Sequence, residues 1–454
     1  MNDYRPVHRL TPLLRLWTLV LALIAVAVVN LNASTLASLG TFLRGDGSLL
    51  PILLAVGAFA LLCAAVWLLS GAWWRAEGYR LTEEEVSLKR GVLSRQERSA
   101  RYDRIQAVDV VESVIARIFR VAAVRIETAG GSNSVIEISY LDKRVATALR
   151  EEVLGHVRGE ATAQPEQQST TVVEEIPIAR SLGAVALNIG AVASTVVMLA
   201  LAVPLGIAAA VPLIVGLGPA IWRIVDNSWR FTARLTEDGS ALDVTYGLAD
   251  RRRQTIPLHR IHGVSIRQPV LWRLTGWWML KVSIAGYGSG NDKESGTTTL
   301  LPVGDRETAM RLAALIGPLT RAELEEFARP EGHTAPDFTS PRRARWVSPV
   351  DLSQQSTTLL PGVAVCHLGR FSRRVSIIET PHIQELTLKR GPLQHLLSLC
   401  TVTFDLISGP VSMGGADLDT RDGQQLLDAL RQRRLPAYTS SHDHSVDEPG
   451  PPAA

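Results

Sequence analysis

The chain has 454 residues, of which 46% are hydrophobic and 20% are charged, and its mean hydropathy is +0.13. The formal net charge of +3 is too small to indicate a nucleic-acid-binding protein, and three cysteines are too few for a disulfide framework. The hydropathy is high for a soluble protein of this length, so the chain is not expected to be purely soluble.

The apolar residues are concentrated in three runs without Lys, Arg, Asp or Glu, at residues 16–43, 47–74 and 181–222. A transmembrane helix needs about 20 residues, so the third run is long enough for two helices, with a turn at "VPLG" (203–206). No small-residue cleavage site follows the first run, which favours an anchor over a signal peptide. The sequence predicts four transmembrane helices in two hairpins, at about residues 16–38, 49–74, 181–203 and 206–225.

Basic residues beside these runs indicate the orientation of the chain. They precede the first run, follow the second and flank the third, at Arg5, Arg9, Arg15, Arg75, Arg80, Arg180, Arg223 and Arg230. The positive-inside rule therefore predicts that both termini and all large hydrophilic segments are cytoplasmic. Cys63 falls within a predicted span, and Cys366 and Cys400 are expected to be thiols in a reducing compartment.

The hydrophilic segments contain an internal repeat of about 38 residues that aligns without gaps from Gly91, Gly247 and Gly369. Thirteen residues after each glycine, a basic residue precedes isoleucine: Arg104 before Ile105, Arg260 before Ile261, and His382 before Ile383. A second pair, basic then aliphatic, follows thirteen residues later, at Arg117 and Ile118, Arg273 and Leu274, and His395 and Leu396. Alternating apolar residues after the isoleucine predict a half-buried strand in each copy.

Each domain ends in an amphipathic helix, for which Asp142, Asp305 and Thr420 are the predicted N-caps. The preceding residues read as short strands separated by turns. Antiparallel strands closed by one helix make an α+β plan, repeated three times.

The first copy contains "YRLTEEEVSLKRGVLSR", "RIQAV" and "ARIFRVA". These motifs resemble the bacterial pleckstrin-homology-like (PH-like) membrane protein family, the YdbS/YdbT type. The resemblance covers most of the chain between residues 16 and 434, and it is weakest in the third copy, where His382 replaces the arginine. It implies PH-like antiparallel β-sandwich or barrel domains, each closed by a C-terminal helix, carried by paired transmembrane helices in a bacterial inner or plasma membrane.

The resulting domain plan combines the spans with three PH-like domains. It assigns residues 1–15 to a cytoplasmic N-terminus, 16–74 to the first hairpin, 75–158 to the first domain, 159–179 to a linker, 180–225 to the second hairpin, 226–329 to the second domain, 330–345 to a linker, 346–435 to a degenerate third domain and 436–454 to a disordered tail.

No catalytic constellation is found. "GYGSG" (286–290) aligns with a turn between two strands rather than a phosphate-binding loop, and His259 and His262 lack a second pair to complete a metal site. The three uncharged runs contain no Asp, Glu, Lys, Arg or His residue, which disfavours a pump. Asn188 is expected to hydrogen-bond between helices or to lie at an interface. Neither a metal nor a cofactor is predicted.

Arginines recur at the start of each copy. We call Ile105, Ile261 and Ile383 the signature isoleucines, and in the first two copies an arginine precedes them. Such residues could contact lipid phosphates or a protein partner; alternatively, they protect an edge strand or bind nearby carbonyl groups. The candidate binding residues are Arg90, Arg95, Arg104, Arg251, Arg252, Arg253, Arg260, Arg373 and Arg374.

The sequence therefore favours a non-enzymatic integral membrane protein that presents three PH-like domains to the cytoplasm. Its expected partners are the bilayer, a protein or a second copy of itself, and anionic lipid headgroups, with a role in envelope maintenance or stress tolerance. The alternative is an accessory subunit of a transport or export system, and a membrane enzyme is the least favoured interpretation.

Overall fold

The computed structural model describes residues 4–7, 57, 77–91, 95–128, 135–158, 170–205, 221–222, 224–285, 298–407 and 409–433. These residues divide into two compact units, one within Met1–Ile261, Ile266–Ile316 and Ser408–Pro410, the other within His262–Ser265, Gly317–Ile407 and Val411–Ala454. The first unit contains the first two repeats apart from His262–Ser265, and the third repeat lies in the second unit. The predicted first hairpin, apart from Gly57, and the tail lie outside the described residues.

The first domain, which includes the first repeat, opens with an antiparallel sheet in the order β1-β2-β3-β4. Its strands are β1 (Arg5–Pro6), β2 (Gly78–Leu81), β3 (Glu85–Arg90) and β4 (Gln96–Arg101). It continues with β5 (Ile105–Ser113), α1 (Val114–Ile118), β6 (Val121–Thr128), β7 (Val135–Asp142) and α2 (Lys143–Arg158). Apolar residues from these strands and from α2 form one core, which includes Val7 from the predicted N-terminal segment. Residues 4–7 therefore belong to the first domain.

The second repeat and the segments on either side of it contain β8 (Thr170–Val173), α3 (Ile178–Ala186), α4 (Ile189–Leu205), β9 (Thr232–Leu235), β10 (Ala241–Tyr246), β11 (Asp250–Pro257), β12 (Ile261–Gln268), β13 (Trp278–Ile284), β14 (Thr299–Gly304) and α5 (Arg306–Ile316). A seven-stranded antiparallel sheet has the order β7-β6-β5-β11-β10-β9-β8. The first and second repeats thus share one sheet, joined where β11 pairs with β5.

The second unit contains α6 (Arg321–Phe327), β15 (Phe338–Thr339), β16 (Ser356–Leu360), β17 (Val363–Leu368), β18 (Arg373–Glu379), β19 (Glu385–Lys389), α7 (Pro392–Leu396), β20 (Leu399–Asp405), β21 (Met413–Asp419) and α8 (Thr420–Arg431). Its strands lie in the orders β18-β17-β16-β15 and β19-β20-β21, over a core that includes Phe404 and Leu426. The α+β plan of antiparallel strands closed by a helix is confirmed for the repeats.

The segments interpreted as linkers contain short strands. β8 lies in the first segment and buries Val173, and β15 lies in the second and pairs with β16. Both segments can therefore extend a sheet despite their polar composition, because backbone pairing needs little apolar surface.

The glycine that opens each repeat has a positive φ: 107° at Gly91, 113° at Gly247 and 82° at Gly369. At Gly247 a Cβ atom would lie 1.9 Å from the carbonyl oxygen of Asp250, and at Gly369 it would lie 2.2 Å from that of Ser372. The repeated glycine is thus a turn residue that no L-amino acid with a side chain replaces without strain.

Gly247→Ala is expected to destabilise the protein by about 1–3 kcal/mol, because it combines a positive φ with backbone overlap. Gly239→Ala is the matched control, since φ is +66° there and nothing lies within 4 Å of the added Cβ. Thermal unfolding of both variants in detergent measures the difference. Equal losses at the two positions would show that the overlap with Asp250 does not matter.

Two of the three predicted N-caps are confirmed. Asp142 Oδ1 accepts from the Arg144 amide at 3.0 Å, and Asp305 Oδ1 accepts from the Thr308 amide at 2.7 Å. The prediction of Thr420 is wrong by one residue: Asp419 caps α8, and the Thr420 hydroxyl donates to the Ser398 carbonyl instead.

The helix predicted at residues 181–203 is interrupted. α3 and α4 meet at a bend of 59°, where the Asn188 side chain accepts from the amides of Gly190 and Ala191 and so caps α4. Asn188 is therefore a cap within one chain segment rather than a bridge between helices. α4 includes Val203, Pro204 and Leu205, so the turn predicted at 203–206 does not begin at Val203.

Among the described residues, no single helix has the length and apolar composition to cross a membrane, whereas the bent pair of Ile178–Ala186 and Ile189–Val197 meets the criterion together. The second helix of this hairpin falls mostly on residues 206–220, outside the described range. The predicted turn at 286–290 and the first-repeat segment 129–134 with which it aligns also lie outside it.

Candidate interaction surface

The arginines that open the second repeat lie where β11 of the second repeat pairs with β5 of the first. We call this pairing the joint between the repeats. In the pairing of β11 with β5, Arg251 is opposite Glu112, Arg252 opposite Val111 and Arg253 opposite Val110. Arg251 is exposed, whereas Arg252 and Arg253 are half-buried. The strand β11, whose arginines the sequence predicts as binding residues, therefore pairs with the first repeat. Of its three candidate arginines, only Arg251 is exposed.

A buried ionic cluster lies beneath this joint. Arg150 of α2, with 6% of its side chain exposed, contacts Asp243 of β10 at 3.2 Å and donates to the Thr255 hydroxyl. Arg253 approaches the other oxygen of Asp243 at 3.5 Å. The cluster connects the closing helix of the first repeat to strands of the second.

Asp109 of β5 adds a buried carboxyl group near this cluster. Burial raises its pKa to about 7, and the charges of Arg150, Arg252 and Arg125 oppose the increase. Its Oδ1 atom has no hydrogen-bond partner among the described residues. Burial likewise lowers the pKa of Arg150, while Asp243 acts against this. The sequence does not reveal this cluster, because its members are distant along the chain.

The raised pKa of Asp109 predicts a pH-dependent stability. A carboxyl group whose pKa is higher in the folded state binds more protons in that state. Its contribution to the free energy of unfolding is therefore complete below about pH 4 and is lost as the pH rises through about 7. Between about pH 5 and pH 8, wild-type protein should lose stability from this group, and Asp109→Asn should lose less. Thermal unfolding at both pH values tests this, with Asp103→Asn, an exposed carboxylate of the same repeat, as control. Identical pH dependence in all three proteins would refute the prediction.

Of the remaining candidates in the first unit, two make structural contacts. Arg90 forms an ion pair with buried Glu77 at 2.7 Å, and Arg260 donates to the carbonyl of Ile105 at 3.3 Å. The second of these bonds links the first two repeats at their signature isoleucines. It is the contact expected if this arginine binds a nearby carbonyl group rather than a partner. Arg95 and Arg104 are exposed.

In the second unit, Arg373 and Arg374 begin β18 and are half-buried. Burial lowers the pKa of Arg374, which donates to the Ser412 hydroxyl at 3.2 Å. His382, which replaces the signature arginine, stacks on His262 with ring centroids 4.0 Å apart. The exposed members of the candidate set are therefore Arg95, Arg104 and Arg251.

The buried thiol and imidazole groups of β17 are unsuited to chemistry at neutral pH. Burial raises the pKa of Cys366 to about 11 and lowers that of His367 to about 4. Cys400 is also a buried free thiol. In the part of the chain that the structure describes, no group of three His, Cys, Asp or Glu side chains is arranged to hold a metal ion.

Sequence reasoning missed one exposed residue in each repeat. The aliphatic member of the second basic–aliphatic pair is 71% exposed at Ile118, 82% at Leu274 and 79% at Leu396. The pair was visible as part of the repeat, but periodicity alone favours a buried position for its aliphatic residue. We call Ile118 the first-repeat tip and Leu274 the second-repeat tip.

The chain enters and leaves the predicted second hairpin at one place, which we call the hairpin root (Ser181, Ala184, Asp226 and Ser228). The Ser181 hydroxyl donates to the Ser228 carbonyl at 3.1 Å. Asp226 Oδ1 accepts from the amides of Leu248 and Ala249, at 2.8 and 2.6 Å. The hairpin root is thereby fixed to the turn between β10 and β11.

Both tips are also connected to the hairpin root. Arg117, beside the first-repeat tip, donates through Nη2 to the Leu248 carbonyl at 3.0 Å. The Trp272 indole, two residues before the second-repeat tip, donates to the Ala184 carbonyl at 3.1 Å. The two tips therefore lie beside the segments through which the hairpin enters and leaves.

Comparison with known proteins gives two results. A family model described as "Bacterial PH domain" matches residues 18–157, 177–320 and 363–434. The chain is also similar to the UPF0699 transmembrane protein YdbT of Bacillus subtilis (strain 168), with 25% identity over 284 residues, covering 54% of this chain and 57% of the relative. The chain thus spans less than two thirds of that relative's length. The family matches include most of the chain and all three repeats, and the protein belongs to the bacterial PH domain family.

Proposed function

We propose that the protein is a non-catalytic, multi-pass protein of the bacterial cell membrane that holds three PH-like domains at the cytoplasmic face. The observation that carries the anchor is the hairpin root, where the Ser181 hydroxyl contacts the Ser228 carbonyl at 3.1 Å. The intervening run of residues 187–222 contains no charged side chain. A long uncharged segment that leaves and returns at one place is typical of a membrane hairpin.

The domains would bind an anionic partner, either a protein surface or a lipid headgroup, in maintaining the cell envelope. Support comes from the exposed arginines Arg95, Arg104 and Arg251. Domains tethered to the cytoplasmic leaflet lie within the range of its negative surface potential, which attracts basic side chains. The similarity to a relative that is named a transmembrane protein supports the membrane location.

Photocrosslinking of the full-length protein in cells tests the binding role. A photoreactive amino acid at position 104 or 251 should give a discrete protein or lipid adduct. Arg234, an exposed arginine of β9 outside the candidate set, is the control for the probe. Adducts that are absent, or equally strong at position 234, would argue against a specific surface at these arginines.

A further inference from the structure

The two tips in the first unit present apolar side chains that the fold itself does not use. Single exposed aliphatic residues are common on protein surfaces and need no explanation. Here, however, the exposed position recurs at the same register in every repeat, at Ile118, Leu274 and Leu396. A recurring exposed side chain indicates a shared role outside the core.

Further exposed apolar residues lie beside the first tip and on the predicted anchor. Exposed apolar residues lie next to the first tip, on α3, at the start of α4, and before the chain leaves the hairpin, at Phe119, Leu182, Ile189 and Trp222. The tips thus border the surface through which the hairpin enters the bilayer. Tryptophan at such a border is typical of a membrane interface.

Charge at the same place fits a lipid surface. Arg117 and Arg120 flank the first-repeat tip and are exposed, and Arg180 of α3 is half-exposed. Basic side chains beside apolar ones are the combination by which peripheral segments bind an anionic leaflet, with the apolar residues about 5–10 Å into the headgroup boundary. A protein partner would not need both tips to lie beside the hairpin root.

We propose that Ile118 and Leu274 insert into the interfacial layer of the membrane that the second hairpin enters. The proposal rests on the membrane anchor proposed above. Two insertion points beside the hairpin root would fix the tilt of the joined sheet of the first two repeats relative to the bilayer. The occupant of this surface is the lipid interface itself.

Single-cysteine variants of the full-length protein test the insertion. The three native cysteines are replaced by alanine, and cysteine is introduced as Ile118→Cys or Leu274→Cys and labelled with an environment-sensitive fluorophore. The labelled protein is reconstituted in vesicles of phosphatidylcholine and phosphatidylglycerol that contain spin-labelled phospholipid. Circular dichroism confirms that each variant is folded.

Glu237→Cys provides the matched control in the same unit. Glu237 is exposed in the turn between β9 and β10, at the opposite end of the six-residue strand β10 from the turn that holds the hairpin root, a separation of about 20 Å at 3.3 Å per residue. We expect emission from positions 118 and 274 to shift to the blue and to be quenched severalfold more by the spin-labelled lipid than emission from position 237.

A fourth probe separates the two proposals. Val196→Cys labels an exposed position of α4, within the proposed anchor. Strong quenching at 196 together with weak quenching at 118 and 274 would overturn the insertion and leave the anchor intact. A blue shift at the tips without lipid quenching would mean that protein covers them and would also overturn the insertion. Weak quenching at all four positions would overturn the anchor and, with it, the insertion.

Discussion

Arg150→Met should destabilise the full-length protein by about 3–5 kcal/mol, the usual cost of removing one partner from a buried ion pair. The Arg150 side chain is 6% exposed and faces Asp243 at 3.2 Å, with Asp109 nearby as a second carboxyl group. Loss of the guanidinium leaves these acids without their main counter-charge in a poorly solvated joint. Chemical denaturation followed by circular dichroism measures the loss.

Arg144→Met is the control for this prediction, because Arg144 lies on the same helix α2 and is exposed. It should change the free energy of unfolding by no more than about 0.5 kcal/mol. If Arg150→Met costs as little as Arg144→Met, the ionic cluster does not hold the first two repeats together.

Trp272→Ala should also cost about 3–5 kcal/mol, as expected for truncating a buried aromatic side chain. Trp272 is 2% exposed, and its indole satisfies the Ala184 carbonyl near the end of α3. The last carbonyl groups of a helix have no partner within the helix, so the substitution also removes a cap. Hydrogen exchange of α3 should increase more than exchange of the β5–β6 pair.

Two further variants separate the loss of buried apolar volume from the loss of the indole hydrogen bond. Trp272→Phe keeps most of the apolar volume but removes the indole donor, so it should cost about 1–3 kcal/mol for the unsatisfied carbonyl. Trp346→Ala truncates an exposed tryptophan in the second unit and should have little effect. Equal exchange rates of α3 in wild type and Trp272→Ala would show that the indole does not hold this helix against the domain.

The repeat and its secondary structure could be predicted because they depend on local patterns. The signature isoleucines Ile105, Ile261 and Ile383 are all buried, as alternation with polar residues predicts for a strand. The opening glycines have a positive φ in all three copies, which explains why the alignment begins there. Each of these features is determined within a few residues of the chain.

The joint between repeats could not be predicted, because strand pairing between repeats depends on which edges remain free after each sheet forms. Arg252 and Arg253 appear in the sequence as a charged edge, yet they pair with Val111 and Val110 of β5. The charge of Arg253 is accommodated by Asp243, which is close to it only in the folded chain. A basic cluster in sequence thus becomes partly a structural element.

The break between α3 and α4 was missed for a different physical reason. Absence of charge identifies an apolar run, but it does not show that one helix continues through it. Asn188 can replace two backbone hydrogen bonds by accepting from Gly190 and Ala191, so one polar side chain is enough to start a new helix.

Alkaline carbonate extraction combined with cysteine labelling tests the central claim, a hairpin-anchored protein with cytoplasmic domains, most directly. We expect the full-length chain to stay in the membrane pellet, and the Glu237→Cys variant in the cysteine-free background to react with an impermeant maleimide only after spheroplasts are permeabilised. Release of the chain into the supernatant would contradict the anchor. Labelling of position 237 in intact spheroplasts would contradict the cytoplasmic location of the domains.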